Sequence, residues 1–287
     1  MLNPARTVRL DRPCIFAILN LTPDSFADGG RLPTPAHAAD AARRAADEGA
    51  DGLDLGAEST RPGAQRVDAN EQRRRLLPAI DAIRAAGVTL PITVDTTLAP
   101  VARDALESGA DAINDISAGT EDDGMLALAA ERPCGIVLMH RLAPPDADRF
   151  SDRYDTPPDY PRGVVAEVVT HLAARLDAAV AAGVPRDAVL LDPGLGFGKS
   201  VEQNLELIRH TPALLALARP VMSALSRKSF VGRVSLHRDS IPDERLPGTL
   251  ALSVLHLQAG ARVFRVHDTA PHRQALDAAW AALQSGP

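Results

Sequence analysis

Little in this sequence invites crosslinking, membrane insertion or a non-specific grip on polyanions. Only two cysteines, Cys14 and Cys134, occur in 287 residues, each beside an apolar run and without CxxC spacing or neighbouring histidines. That usage argues for buried structural thiols in a reducing cytoplasm rather than a disulfide framework or a zinc cage. Apolar runs such as GIVLMH (135–140) and AVLLDP (188–193) fall far short of the roughly 20 residues that cross a bilayer, so no membrane span is expected. The N-terminal MLNPARTVRLDRP lacks the apolar core of a secretory signal, which again points to a cytoplasmic protein. Basic residues do not predominate: 31 Lys and Arg stand against 37 Asp and Glu, a net charge of −6. Nucleic acid and anionic membrane therefore have no global electrostatic support as partners, and any anionic ligand needs a local basic site. No Pro/Gly/Ser-rich linker, charge block or low-complexity segment divides the chain, which reads as one domain, 1–287.

What is present is a repeated unit. Eight short apolar runs occur: CIFAILN (14–20), GLDLGAE (52–58), PITVDT (91–96), AINDIS (112–117), GIVLMH (135–140), AVLLDP (188–193), VMSALS (221–226) and VFRVHD (263–268). Ala-rich amphipathic patterns follow them at about 35–48, 68–86, 98–108, 122–131, 162–182, 200–210, 247–259 and 271–284. The runs lack clean polar/apolar alternation, as suits parallel strands covered on both faces. Eight such βα units in a row predict an α/β fold of the TIM (β/α)8 barrel type.

Nearly every run ends in polar or charged residues: Asn20, Glu58, Asp95, Asn114 with Asp115, His140, Asp192, Ser226 to Lys228, and Arg265 with His267 and Asp268. In a barrel these ends converge on one rim, where TIM-barrel enzymes place their active sites. Singly, each could be a cap or strand terminus.

The connections carry further signals. NLTPDSFADGG, from Asn20 to Gly30, opens a link of roughly 14 residues, the length of a lid or binding loop, although its residues also suit plain turns. ESTRPGA, from Glu58 to Ala64, offers hydroxyls and a guanidinium to phosphate oxygens. After the sixth run, DPGLGFGKS lacks the four-residue spacing of a P-loop and fails the dinucleotide fingerprint. Its glycines instead allow Asp192 and Phe197 to approach a flat ligand closely. Arg265 and His267, two apart, share a strand face and form a two-pronged cationic or hydrogen-bonding site. The alternative is an internal ion pair of Arg265 with Asp268 or Glu58.

Taken in order, ILNLTPDSFADGG, DLGAESTRPGA, VDT, INDISAG, VLMH, LDPGLGFGKS, LSRKSF and RVHD closely resemble the dihydropteroate synthase family, the pterin-binding TIM barrels of folate biosynthesis. The resemblance runs from the first strand to the last. It implies a transferase that condenses 6-hydroxymethyl-7,8-dihydropterin diphosphate with 4-aminobenzoate, releases pyrophosphate, requires Mg²⁺ and forms a homodimer. It further implies that Asp95, Asn114 and Asp192 read the aminopyrimidinone edge, that Lys228 donates to the ring carbonyl and ring nitrogen, and that Met139 and Phe197 form apolar walls. Asn20, Thr60, Arg61, Arg265 and His267 would hold the diphosphate, with Asn20 a direct Mg²⁺ ligand. Phe26 and Pro62 would sandwich the aminobenzoate ring, Asp28 would orient its amine, and Ser229 would bind its carboxylate. The catalytic burden would fall on Lys228, Arg265, His267 and Asp95. The chain departs from the family pattern at residues 141–161, a longer Pro- and Asp-rich connection.

Three other readings compete. A corrinoid-methyltransferase pterin barrel shares the Asp, Asn and Asp readers but needs no diphosphate site, and TPDSF, STRPG and SRKSF argue against it. A Schiff-base aldolase would use Lys228 as nucleophile, with Arg227 beside it. A pterin-binding barrel without catalysis would lack the diphosphate and loop residues, which are present.

Overall fold

Alternation inside short strands builds this architecture. In the computed structural model, which describes residues 8–22 and 34–285, the strands are β1 (Cys14–Asn20), β2 (Gly52–Gly56), β3 (Ile92–Asp95), β4 (Ala112–Asp115), β5 (Gly135–Met139), β6 (Val189–Asp192), β7 (Met222–Ser223) and β8 (Val263–Val266). All pair in parallel, in the order β6-β5-β4-β3-β2-β1-β8-β7. A further parallel bridge between Leu191 and Val221 joins the two ends, with the Leu191 N–H donating to Pro220 O at 3.1 Å. The sheet is thus a nearly closed (β/α)8 barrel, as the repeat predicts.

The helices are α1 (Pro35–Asp47), α2 (Ala69–Ala85), α3 (Ala99–Glu107), α4 (Gly124–Glu131), α5 (Val164–Ala181), α6 (Val201–Arg209), α7 (Thr211–Leu215), α8 (Ser229–Leu236), α9 (Leu246–Gln258) and α10 (Thr269–Gln284). All but the short α7 and α8 answer to a helical pattern in the sequence. Local chemistry starts several of them. Thr34 and Ser200 cap α1 and α6 through reciprocal boxes with His37 and Gln203, and Asp68 accepts the Glu71 N–H at 2.9 Å ahead of α2.

One side of each strand faces the helices. Leu53 and Leu55 pack against Ala38 and Ala42 of α1 and Leu76 and Ile80 of α2, where each buried leucine contributes about 1.5–3 kcal/mol. The opposite side faces the barrel axis. Phe16, Val137, Met222 and Val263 form an apolar plug, and Gly52 leaves room for it, because a Cβ there would lie 2.4 Å from the Phe16 ring. Toward the strand C-termini the inward positions become polar: Asp54, Thr93, Asp95, Asn114, Asp192 and Arg265. The alternation missing from the sequence as hydrophobicity therefore exists in space, with acids and amides occupying inward positions.

β7 is shorter than the expected 221–226 run. The chain leaves the sheet early because the Lys228 N–H donates to Leu225 O at 3.1 Å and Arg227 takes a left-handed φ of 61°, turning the polar residues into α8. Residues 141–161 fold as two 3-10 turns, Pro145–Ala147 and Ser151–Arg153, laid against the β6–α6 connection. Asp148 accepts the Gly198 N–H at 2.9 Å, the Tyr160 hydroxyl donates to Gly198 O at 2.7 Å, and the Asn204 amide donates to Ser151 Oγ at 3.0 Å.

Candidate active site

Strand register puts two carboxylates and one guanidinium at the centre of the barrel. Arg265 of β8 donates from Nε to Asp54 at 2.5 Å and from NH2 to Asp95 at 2.9 Å. Asp54 also accepts from the Asn114 amide at 3.2 Å and from the Thr93 hydroxyl. Burial pushes Asp95 up to about 7, with Arg265 opposing and the Asp54 charge adding to the rise. Burial works against the charge of Arg265 as well, but Asp54 and Asp95 outweigh it and hold the guanidinium firmly protonated.

Across the barrel mouth stand a third acid and a lysine. Asp192, at the end of β6, accepts the Gly194 N–H at 2.7 Å; burial raises its pKa and Lys228 opposes the rise. Lys228 caps α8, donates to Leu195 O, and holds its ammonium 4.1 Å from the centre of the Phe197 ring. Burial pulls Lys228 down to about 7 while Asp192 resists. Ile116, Met139 and Phe197 form a separate apolar cluster beside these groups. The result is a set of apolar side chains, carboxylates, an amide and an ammonium gathered at the strand C-termini, which suits a flat heterocycle rich in N–H donors.

At the rim, the Asn20 side-chain oxygen stands by Gly56, 3.6 Å from where a Cβ would be, and its amide has no side-chain hydrogen bond among the described residues. Thr60, Arg61 and Pro62 lie on the β2–α2 connection, where Arg61 is exposed and its charge reaches His267 and Arg245. Burial, with Arg265 and Arg227 nearby, pushes His267 down to about 3, so the imidazole is neutral, 3.1 Å from Ser226 Oγ. The connection is tied down by the Gly63 N–H, which donates to Pro145 O at 2.8 Å, and by Arg66, which pairs with Glu58 at 2.8 Å and Glu121 at 2.9 Å. Arg141 meets the same Glu121 at 2.5 Å. Ser229 is buried as the first residue of α8.

A family model described as pterin binding enzyme matches residues 16–267. The dihydropteroate synthase of Synechocystis sp. is 40% identical over 276 residues, covering 94% of this chain and 91% of that protein. The chain belongs to the dihydropteroate synthase family of pterin-binding enzymes. The family also contains a Mycobacterium tuberculosis protein named inactive dihydropteroate synthase 2, which is 44% identical over 273 residues and covers 95% of this chain and 83% of its own length. Among solved structures, Xanthomonas albilineans dihydropteroate synthase with 4-aminobenzoic acid shares 41% identity at a TM-score of 0.86, with 97% of this chain and 95% of that one aligned.

In this family member the site residues read from the sequence divide unevenly. Asp95 and Asn114 come together around Arg265, and Met139, Asp192, Phe197 and Lys228 come together at the barrel mouth. Arg265 and His267 remain neighbours at the end of β8, and the Arg265 charge helps to keep the His267 imidazole neutral. Arg265 enters an internal ion pair through Nε and NH2, and its partners are Asp54 and Asp95 rather than Asp268 or Glu58, which pair with Arg227 and Arg66. The physical reason is that two inward carboxylates cannot stay charged in the barrel without a cation between them. Phe26 and Asp28 lie outside the described residues. Sequence reasoning passed over Asp54, although an acid between two leucines in GLDLG is the signal of a charge on the inward face. It also passed over Ile116 and Lys199.

Proposed function

We propose that the protein is an active dihydropteroate synthase, condensing 6-hydroxymethyl-7,8-dihydropterin diphosphate with 4-aminobenzoate. The observation that carries this reading is Lys228 held over the Phe197 ring beside the Ile116–Met139–Phe197 cluster, within reach of the charges of Asp192 and Asp95, with Asn114 and Asp95 joined to the Asp54–Arg265 network at the same strand C-termini. The acids and the amide accept from and donate to the pterin's aminopyrimidinone edge, and Lys228 donates to its carbonyl and ring nitrogen. Asn20, Thr60, Arg61 and His267 hold the diphosphate, and Arg265 keeps NH1 for an anionic oxygen while Nε and NH2 serve Asp54 and Asp95. The bond from the pterin methylene carbon to the diphosphate oxygen breaks. A bond from that carbon to the aminobenzoate nitrogen forms, and the amine proton passes to the released pyrophosphate. Carboxylates close to the ring favour the positive charge that develops on the methylene, and cationic rim groups favour the negative charge on the leaving group.

Mg²⁺ fits this rim. Asn20 ends β1 beside Gly56 at the end of β2, and its amide oxygen is unclaimed by any side chain among the described residues. Among those residues no three His, Cys, Asp or Glu side chains converge, so phosphate oxygens and water would complete the shell, as Mg²⁺ prefers. When bound, the ion neutralises charge on the departing pyrophosphate. Phe26 and Pro62 flank the aminobenzoate ring, Asp28 orients its amine, and Ser229 at the start of α8 meets its carboxylate. We assign the chain as one domain over 1–287, cytoplasmic, and homodimeric, in keeping with the family.

The likeness to a protein named inactive favours one second reading, a barrel that binds pterin without turning it over. Incubating the protein with the pterin diphosphate, 4-aminobenzoate and Mg²⁺ separates the two. Dihydropteroate and pyrophosphate are expected in equal amounts; pterin binding without either product supports the silent barrel, and product formed undiminished in excess chelator removes the metal assignment.

A further inference from the structure

Beside these strand ends lies a charge that the proposed chemistry leaves without a task. Lys199 is among the largest fully buried side chains of the described residues, and it makes no ion pair with a carboxylate among them. Its Nζ donates to Phe197 O at 2.8 Å and Gly194 O at 3.0 Å, meets His140 Nδ1 at 3.0 Å, and lies 3.4 Å from His140 O. Two of these acceptors belong to the turn that carries Phe197. The others belong to the residue after Met139, whose own N–H donates to Asp192 O at 3.0 Å. The two turns are in contact here, since a Cβ on Gly194 would lie 1.8 Å from His140 O. Burial, with Lys199 adding, pushes His140 down to about 2, so its neutral ring offers Nδ1 as an acceptor. That ring is wedged against His171, with centroids 4.9 Å apart, and Tyr160, at 6.1 Å. Burial pulls Lys199 to about 7, with Asp192 resisting, and Lys228 and Asp148 are the other charges it feels.

We propose that Lys199 is a positioning residue that clamps the β5 and β6 turns together, sets the spacing between the Met139 and Phe197 walls, and thereby selects a flat two-ring heterocycle, without itself touching the substrate. The proposal rests on reading these strand ends as the pterin site. A clamp of this kind acts on one substrate only, because no residue assigned to aminobenzoate lies on the β5 or β6 turn.

The test compares wild type with Lys199→Met, measuring 6-hydroxymethylpterin binding by fluorescence and KM for both substrates. The variant is expected to keep its circular dichroism spectrum, to lose pterin affinity by about tenfold or more, and to hold KM for 4-aminobenzoate within about twofold. Unchanged pterin affinity, or equal losses for both substrates, overturns the clamp. A second variant, Lys199→Ala, creates a cavity for propylammonium, and restoration of pterin binding by that ion is expected; no restoration counts against the proposal. Wild-type protein that binds no pterin at all would instead remove the pterin-site assignment, and the clamp with it, a result distinct from intact wild-type binding that the variant leaves unaltered.

Discussion

Lys228 is asked for opposite things by the synthase and aldolase readings, and its burial makes both chemically conceivable. In the synthase it donates hydrogen bonds to the pterin as an ammonium; in an aldolase it attacks a carbonyl as a free amine. The neighbouring Phe197 ring and Leu195 carbonyl stabilise a cation, which favours the first role. Lys228→Arg should be poorly tolerated, because a planar guanidinium does not fit a pocket shaped around a compact donor. Loss of one charge-assisted hydrogen bond, here or in Asp192→Asn, should lower kcat/KM by a factor corresponding to about 1.5–3 kcal/mol. A borohydride-trapped adduct on Lys228 with a carbonyl substrate would decide for the aldolase. The same residues set a pH dependence for kcat/KM of the pterin substrate, which reports the free enzyme. Asp95, raised to about 7, must lose its proton to accept from the ring, so activity should climb as pH rises toward 7. Lys228, lowered to about 7, must keep its proton, so activity should fall above that value. The profile should be a narrow bell whose acid limb Asp95→Asn weakens without removing, since Asp192 is raised as well; a flat profile between pH 6 and 8, values taken about one unit either side of the two pKa values, would contradict the assignment.

At the scale of elements, glycine positions separate turns that are constrained by neighbours from turns that are free. Gly194 and Gly63 both sit at positive φ, 68° and 78°. A Cβ at Gly194 would collide with the His140 carbonyl, whereas one at Gly63 would meet nothing within 4 Å. Gly63→Ala should therefore cost only about 1–2 kcal/mol of backbone strain, and Gly194→Ala about 3 kcal/mol or more, together with pterin binding. Thermal unfolding of both variants checks the ranking. The β2–α2 connection depends instead on charge. Burial pushes Glu121 upward, yet hydrogen bonds from Arg66, Thr97 and Arg141 prevail and hold it down at about 2. A depressed carboxylate stabilises the folded state above its ordinary pKa of about 4.5 and loses that contribution as pH falls toward 2. Glu121→Gln should therefore lower stability at neutral pH and flatten its decline over that window. A decline identical to wild type would mean that other carboxylates govern acid unfolding.

For the molecule as a whole, closure is the weak point of the barrel. β1 and β2 share a register of five residue pairs, whereas β7 and β8 share two and the β6–β7 seam rests on a single bridge. Fewer ladder bonds mean a lower free energy of local opening. The Leu191 amide, bonded across the seam to Pro220 O, should exchange with deuterium faster than the Leu53 amide, bonded to Pro91 O, although both leucines are wholly buried. Equal protection would show that the barrel opens only as a unit. Pterin bound as proposed, through Asp192 of β6 and Lys228 of the β7–α8 turn, should slow exchange at the seam.

Hydrophobic period and turn chemistry determined the eight-fold βα repeat, because apolar spacing, caps and glycines act within a few residues of one another and need no tertiary partner. They also determined which strand ends carry acids, amides and bases, and the ordered motifs identified the family. Inward or outward placement is a property of closure. Asp54 looks like an interruption in an apolar run until β2 curves and turns it toward Arg265, more than two hundred residues away in the chain. The same closure brought Arg265 against Asp54 and Asp95, since its charge is most stable between two buried carboxylates. Lys199 reads as part of a glycine-rich turn, and only the meeting of the β5 and β6 turns gives its ammonium three backbone and imidazole acceptors within 3.0 Å. Long-range electrostatics in a low-dielectric interior depends on distances that no local pattern encodes.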